Sequence, residues 1–341
     1  MPQTGGARKR NLYSADQTLL RPVLSEGYLC TKYIMETGLW EGNVMAEKNN
    51  RAGDSNRITR EYMDSILIEM RHIDGVLPNT EMELYGKKFA TPVMTAALSH
   101  LDNVCEKGMV RQAEGAGMAG AVNWAGMGPL EELEEITATG VPTIKIIKPY
   151  KDNEEIFRRI RHAEECGCLA IGMDLDHSFN RNGGYDVVLG EEMRPKSLEE
   201  LKGFVKATSL PFIVKGVLSR TDAEKCLEAG VQGIVVSHHH GIMDYAVPPL
   251  KILPAIADVI RGQIPIFVDC GLENGADVFK ALALGATAVC IGRVTMGPLG
   301  EKGAAGVGEM INDVTRQLAG FMARTGCGNL NDISRDLLWL P

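Results

Sequence analysis

From about residue 90 onward, short apolar runs rich in β-branched residues alternate with amphipathic stretches of helical period. The runs fall at residues 92–95, 120–123, 143–147, 170–174, 212–215, 233–237, 266–269 and 288–292. Several are almost unbroken in apolar character, which suits a parallel strand covered on both faces. Between them, residues 153–166 open on acidic side chains and carry Ile156, Ile160 and Ala163 on one face. Residues 221–229 and 276–284 behave alike, each followed by a glycine suited to a helix C-cap. Strand and helix alternating at intervals of about 25 residues predict an α/β chain folded as a (β/α)8 TIM barrel, with a doubly wound open sheet as the alternative.

The rhythm breaks twice. The segment 1–88 precedes the first strand and is too long for a simple tail, and residues 60–74 read as mixed helix and turn. It is expected to be an extension that covers the N-terminal end of the barrel and lends a residue to the pocket. The barrel itself then occupies 89–341. After the fourth strand a polar, glycine-rich insertion at about 176–196 leads into a helix near 197–207. A long connection leaving the C-terminal end of a strand predicts a lid over the active face. The glycine-rich stretch 300–308 follows no strand directly and reads as a flexible connection.

Composition narrows the function classes. The chain has 341 residues, 45% hydrophobic, enough to bury a core. Its 36 basic and 44 acidic side chains leave a net charge of −8, which argues against a nucleic-acid backbone as partner. Arg8-Lys9-Arg10 reads as a solvated tail. No apolar run reaches the ~18 residues of a membrane span, and the first residues lack the apolar core of a secretory signal. The 8 cysteines are scattered, with no C-x-x-C pair and no zinc-ligand spacing. Reduced thiols and a cytoplasmic location are the expectation.

Functional groups of a barrel gather at the C-terminal ends of its strands. Those ends read Ala97 with Leu98, Asn123, Lys148, Asp174, Lys215, Ser237 with the histidines after it, Asp269 with Gly271, and Gly292 with Arg293. Lys215 closes an apolar strand and either snorkels to solvent or aims at an anion. Asp174 needs a paired donor if buried. The run His238-His239-His240 is unusual, but neighbours in extended chain point to opposite faces, so no shared metal is expected. One histidine oriented by a carboxylate suits a general base. Glycines ending the last two strands, with Arg293 beside them, suit a phosphate cradle.

The stretches PFIVKGVLSRTDAEKCLEAGVQGIVVSHHHG and PIFVDCGLENGADVFKALALGATAVCIGR resemble the FMN-dependent α-hydroxy acid dehydrogenase and oxidase family. The likeness extends over about residues 140–335. It implies a barrel with FMN at its C-terminal mouth and Lys215 beside flavin N1 and O2. Ser237, Ala97, Leu98 and Asn123 would line the flavin, and Asp269, Gly271, Gly292 and Arg293 would complete the cofactor site around the phosphate. His239 corresponds to the family's base, Asp174 to the aspartate supporting it, and Arg181 to a substrate-side arginine. The implied reaction takes a proton from a 2-hydroxy acid at His239 while a hydride or its equivalent passes to flavin N5.

The departures are specific. Ile242 stands where the family has its carboxylate-clamping arginine, Cys270 replaces a glycine, and Glu273 replaces an arginine. Ile146 and Lys148 replace a glutamine and a tyrosine, and Tyr33 is a candidate for the N-terminal tyrosine. Lys148 either holds the substrate carboxylate in place of the lost groups or marks another substrate. These changes leave two alternatives: other FMN chemistry, such as reduction, isomerisation or dehydration, or a non-catalytic flavin-binding homologue. A homo-oligomer is expected by resemblance, and the electron acceptor (oxygen, quinone or protein) is left open.

Overall fold

The computed structural model describes residues 51–341. Eight parallel strands form one sheet: β1 Val93–Thr95, β2 Asn123–Ala125, β3 Thr143–Ile147, β4 Ala170–Asp174, β5 Phe212–Val217, β6 Gly233–Val236, β7 Ile266–Val268 and β8 Ala288–Ile291. Each pairs with its neighbour in sequence from β2 to β8, and β8 returns to pair with β1. Closure between β1 and β2 comes from a parallel bridge at Leu98 and Ala125, where the Gly126 N–H donates to the Leu98 carbonyl at 2.8 Å. The result is the nearly closed (β/α)8 barrel that the strand–helix alternation predicts.

Side chains alternate between the barrel interior and the helix layer, the period of two that strands impose. Met94, Trp124, Ile146, Ile213, Val235, Phe267 and Cys290 fill the interior cluster. Val93, Ile147, Ile171, Val214, Val236, Val268 and Val289 face the helices. Continued past the last apolar residue, the inward phase falls on Lys148, Asp174, Lys215, Ser237 and Asp269. All five are buried. Placement of charge at the mouth is thus a consequence of strand register.

The surrounding helices carry the expected stops and starts. Asn153–Glu165 is capped by Asp152, whose side chain accepts from the Glu154 N–H. Leu198–Lys206 opens with a capping box between Ser197 and Glu200, a device that stabilises a helix by about 1 kcal/mol. Arg220–Ala229 ends on Gly230 at φ 79°, a left-handed position that favours glycine. The lid begins with the 3-10 turn Leu175–Ser178 and includes a hairpin of Val187–Val188 with Glu191–Glu192. Tyr185 stacks on Phe179 and carries the Arg194 guanidinium 3.7 Å over its ring.

Three placements differ from the pattern reading. The second strand begins at Asn123, three residues later than expected, because Gly120 at φ 61° still belongs to the turn leaving helix Gly108–Met118. The N-terminal segment divides: the hairpin Met82–Leu84 and Lys87–Phe89 sends Met82, Leu84 and Phe89 into the interior cluster, while helix Ser55–Ser65 packs at the mouth formed by the strands' C-terminal ends. The stretch 300–308 is no loose connection. It lies in helices Met296–Lys302 and Ala304–Thr325, and its glycines permit close packing: a Cβ on Gly306 would meet the Pro298 carbonyl oxygen at 2.0 Å.

Candidate active site

Asp174 is the hub of the mouth. Its Oδ2 accepts from Lys148 Nζ at 2.7 Å, and its Oδ1 lies 3.3 Å from Lys215 Nζ and 3.2 Å from His239 Nδ1. Burial pushes this carboxyl upward, but the charges of Lys215, His239 and Lys148 outweigh it and hold Asp174 well below the usual carboxylate range. Lys215 also faces Asp269 at 3.6 Å. Burial opposes its charge, yet Asp174, Asp269 and Asp176 keep the ammonium above the ordinary lysine range.

His239 projects from the turn after β6 and adopts φ 47°, as His240 does at φ 52°. Two successive left-handed residues turn the chain so that the three adjacent histidines meet different surroundings. His238 Nε2 lies 2.8 Å from Thr59 Oγ1, and its Nδ1 accepts from the Gly241 N–H at 3.0 Å, so this ring braces the turn. His240 is pushed down to about 4, first by burial and then by Arg293, and stands neutral. His239 alone enters the acidic network, with Asp176 Oδ1 2.7 Å from its Nδ1. Burial and Lys215 work against its charge, but Asp174 and Asp176 prevail and raise it. Asp176 itself is raised by burial and by the Asp174 charge.

Sequence reasoning passed over Asp176 and His177. His177 Nε2 stands 3.1 Å from His239 Nε2, and its Nδ1 lies 2.8 Å from Asp186 Oδ2. A visible signal existed in Asp174-Leu175-Asp176-His177 at a strand end, but only the 3-10 turn brings His177 back over a residue 62 positions away. Ligand atoms of Asp174, His177 and His239 converge within 4.8 Å. Lys148 and Lys215 already place two ammonium groups on the Asp174 carboxylate, a balance of charge that disfavours a cation there.

Beside this network a cavity of about 190 Å³ is lined by Ala97, Leu98, Lys215, His239, Gly271, Gly292 and Arg293, among others. A Cβ on Gly292 would sit 3.4 Å from the Ala96 Cβ and 3.9 Å from Leu98 Cδ2, partly filling this recess. Gly271 holds φ 79°, and Cys270 before it holds φ 73°, the left-handed region glycine prefers. The Cys270 thiol is held up by burial and by Asp269, and its sulfur accepts from the His240 N–H at 3.3 Å. A second, adjoining cavity of about 350 Å³ shares His239, His240 and Arg293 and adds Arg51, Asn56, His177, Arg181, Asp186 and Ile242.

The fold therefore brings Ala97, Leu98, Lys215, Asp269, Gly271, Gly292, Arg293 and His239 around one cavity, with Arg181 around its neighbour. Asp174 and Ser237 lie behind His239 and Lys215, where Ser237 Oγ accepts from the His239 N–H at 3.0 Å. Asn123 is not in this group. It starts β2 out of phase with the interior and is held in the wall by Thr95, Gln112 and Thr143. Lys148 is spent on Asp174 and lines neither cavity, so a role as carboxylate clamp does not follow from its position. Tyr33 lies outside the described residues.

A family model described as FMN-dependent dehydrogenase matches residues 44–200 and 181–340. The chain belongs to this family. Glycolate oxidase 1 of Zea mays is 30% identical over 311 residues, covering 80% of this chain and 83% of that protein. A 2-hydroxyacid oxidase of Dictyostelium discoideum is 27% identical, covering 80% of this chain and 79% of that protein. Among solved structures, a mandelate oxidase variant bearing a C4a-OH-FMN adduct superposes with a TM-score of 0.78 at 28% identity, over 85% of this chain and 92% of that one. This FMN-dependent dehydrogenase takes FMN as its cofactor, and its residues fit the group: a buried ammonium at Lys215, a glycine-walled recess at Gly292 and Arg293 at the rim. No helix among the described residues is long and apolar enough to cross a membrane.

Proposed function

We propose that this chain oxidises a small 2-hydroxy acid, with His239 as the base at the mouth of the barrel. The observation that carries the reading is the contact of His239 Nδ1 with Asp174 at 3.2 Å and Asp176 at 2.7 Å, beside Lys215 and the glycine-walled cavity. An imidazole backed by two carboxylates gains basicity, because the imidazolium it becomes is already compensated. FMN, when bound, supplies the two-electron acceptor. Lys215 offers a positive charge to the cofactor's negative edge. The backbone at Gly271 and Gly292, with Arg293, serves the phosphate, while residues 97 and 98 form the facing wall. Lys148 keeps Asp174 ionised and in place.

With Ile242 where a carboxylate clamp would stand, Arg181 is the cation we assign to the substrate carboxylate. It lines the second cavity from the lid and has no ion-pair partner among the described residues. Anaerobic mixing of the FMN-loaded protein with a panel of 2-hydroxy acids should bleach the flavin absorbance, and His239→Ala should abolish the response. Bleaching by no member of the panel would count against the proposal. A second reading, in which the same cofactor serves another reaction, is favoured by the apolar Ile242. Flavin reduced by NAD(P)H or dithionite but by no hydroxy acid would select it. A cytoplasmic location and a homo-oligomeric state belong to the proposal, to be checked by fractionation and by light scattering.

A further inference from the structure

His239 presents its Nδ1 to acids and its Nε2 to His177, so the nitrogen a substrate hydroxyl must reach faces a second imidazole. The rings meet edge to face, with centroids 4.2 Å apart and planes at 89°. Two ring nitrogens 3.1 Å apart require a proton between them. The charged surroundings decide which ring supplies it. His239 is faced by Asp174 and Asp176 from the end of β4 and by Lys215 from β5. His177 is faced directly by His239 and by Asp186 from the lid, and at longer range by Lys148 from β3 and by Asp174. Burial, then the Lys148 and His239 charges, lower His177, whereas the two carboxylates raise His239.

In the resting arrangement His239 thus donates from Nε2 to His177, and His177 donates from Nδ1 to Asp186. A base that already carries its proton must first lose it. We propose that His177 and Asp186 form the exit path for the proton of His239, arming the base before each turnover and clearing it afterwards. The inference rests on the hydroxy acid reading. The N–H bond at His239 Nε2 breaks as one forms at His177 Nε2. His177, for that moment an imidazolium balanced by Asp186 at its Nδ1, then releases the Nε2 proton to water in the second cavity and keeps its Nδ1 proton, so the ring is ready for the next transfer. One proton enters, one leaves, and no electrons move. The path is short and open: His177 and Asp186 line the second cavity, and each side chain retains 21% exposure. His177 acts through His239 and is a positioning residue.

The test combines two measurements. In the FMN-free protein, 15N spectra of the imidazoles at pH 7 should show both nitrogens of His239 protonated and a single proton on Nδ1 of His177. In the FMN-loaded protein, His177→Gln should slow flavin bleaching by hydroxy acid about 10²-fold, the low end of what general acid–base groups contribute. That defect should shrink as pH rises, because hydroxide can then clear His239 directly. His177→Ala should be rescued by added imidazole in proportion to its free-base fraction. A proton on Nε2 of His177, or a pH-independent defect without rescue, would overturn the relay. If no hydroxy acid bleaches the unaltered protein, the substrate reading fails instead, and the imidazole spectra still decide the proton path.

Discussion

Replacing Asp174 by asparagine keeps the shape of the hub and removes its charge. The contacts with Lys148 at 2.7 Å and Lys215 at 3.3 Å would each be worth about 5–6 kcal/mol at an effective dielectric of about 20. Desolvation of three charges offsets most of that, and breaking a buried pair by removing one partner costs about 3–5 kcal/mol. Asp269 remains for Lys215 and Asp176 for His239, so Lys148 is the charge left bare. Because the folded carboxyl sits well below its usual range, its contribution is complete above the unfolded pKa of about 3.9. Below that pH it declines by about 1.4 kcal/mol per unit until the folded group itself protonates. Urea unfolding at saturating FMN, followed by near-ultraviolet circular dichroism, should show Asp174→Asn weaker by the amount given near pH 8 and by somewhat more toward pH 5, where protonated His239 has also lost this carboxylate. The gap should narrow below about pH 4. A difference under about 1 kcal/mol at pH 7, the value of an exposed pair, or a gap of equal size at pH 3, would refute the reasoning.

Other outcomes follow from the same geometry. Gly292 has φ −105° and ψ −105°, outside the main regions open to other residues, and a side chain there would also fill the recess beside Ala96; for Gly292→Ala, FMN fluorescence titration should show at least a tenfold weaker Kd, about 1.4 kcal/mol. Lys215→Met should lower the midpoint potential of bound FMN by about 30–60 mV, the two-electron equivalent of a charged hydrogen bond worth ~1.5–3 kcal/mol, read by spectroelectrochemical titration. The two histidines should separate cleanly: His239→Gln should reduce the bleaching rate by about 10²–10⁴. His238→Gln, altering a ring that braces the turn against Thr59 and the Gly241 N–H, should change it less than about threefold, with any loss appearing in thermal stability.

The pattern of apolar runs determined the barrel, because parallel strands buried on both faces and helices buried on one leave different periods in sequence. It also placed Asp174, Lys215 and Asp269, since a charged residue continuing an inward-facing run lies at the strand's end, over the interior. The family motifs marked His239 among three neighbouring histidines. What the sequence did not carry was the direction of side chains beyond the strands. Asn123 went to the wall because a turn residue delayed β2, and strand register alternates with every residue. Lys148 went to Asp174 rather than to the cavity, because the nearest opposite charge in a low-dielectric mouth outcompetes a distant one. Asp176 and His177 lie in an insertion without periodicity, and only the 3-10 turn fixed by the packed lid sets them against His239. Regular hydrogen bonding makes strands and helices legible from local sequence, whereas the meeting of loops is decided by contacts between segments remote in the chain.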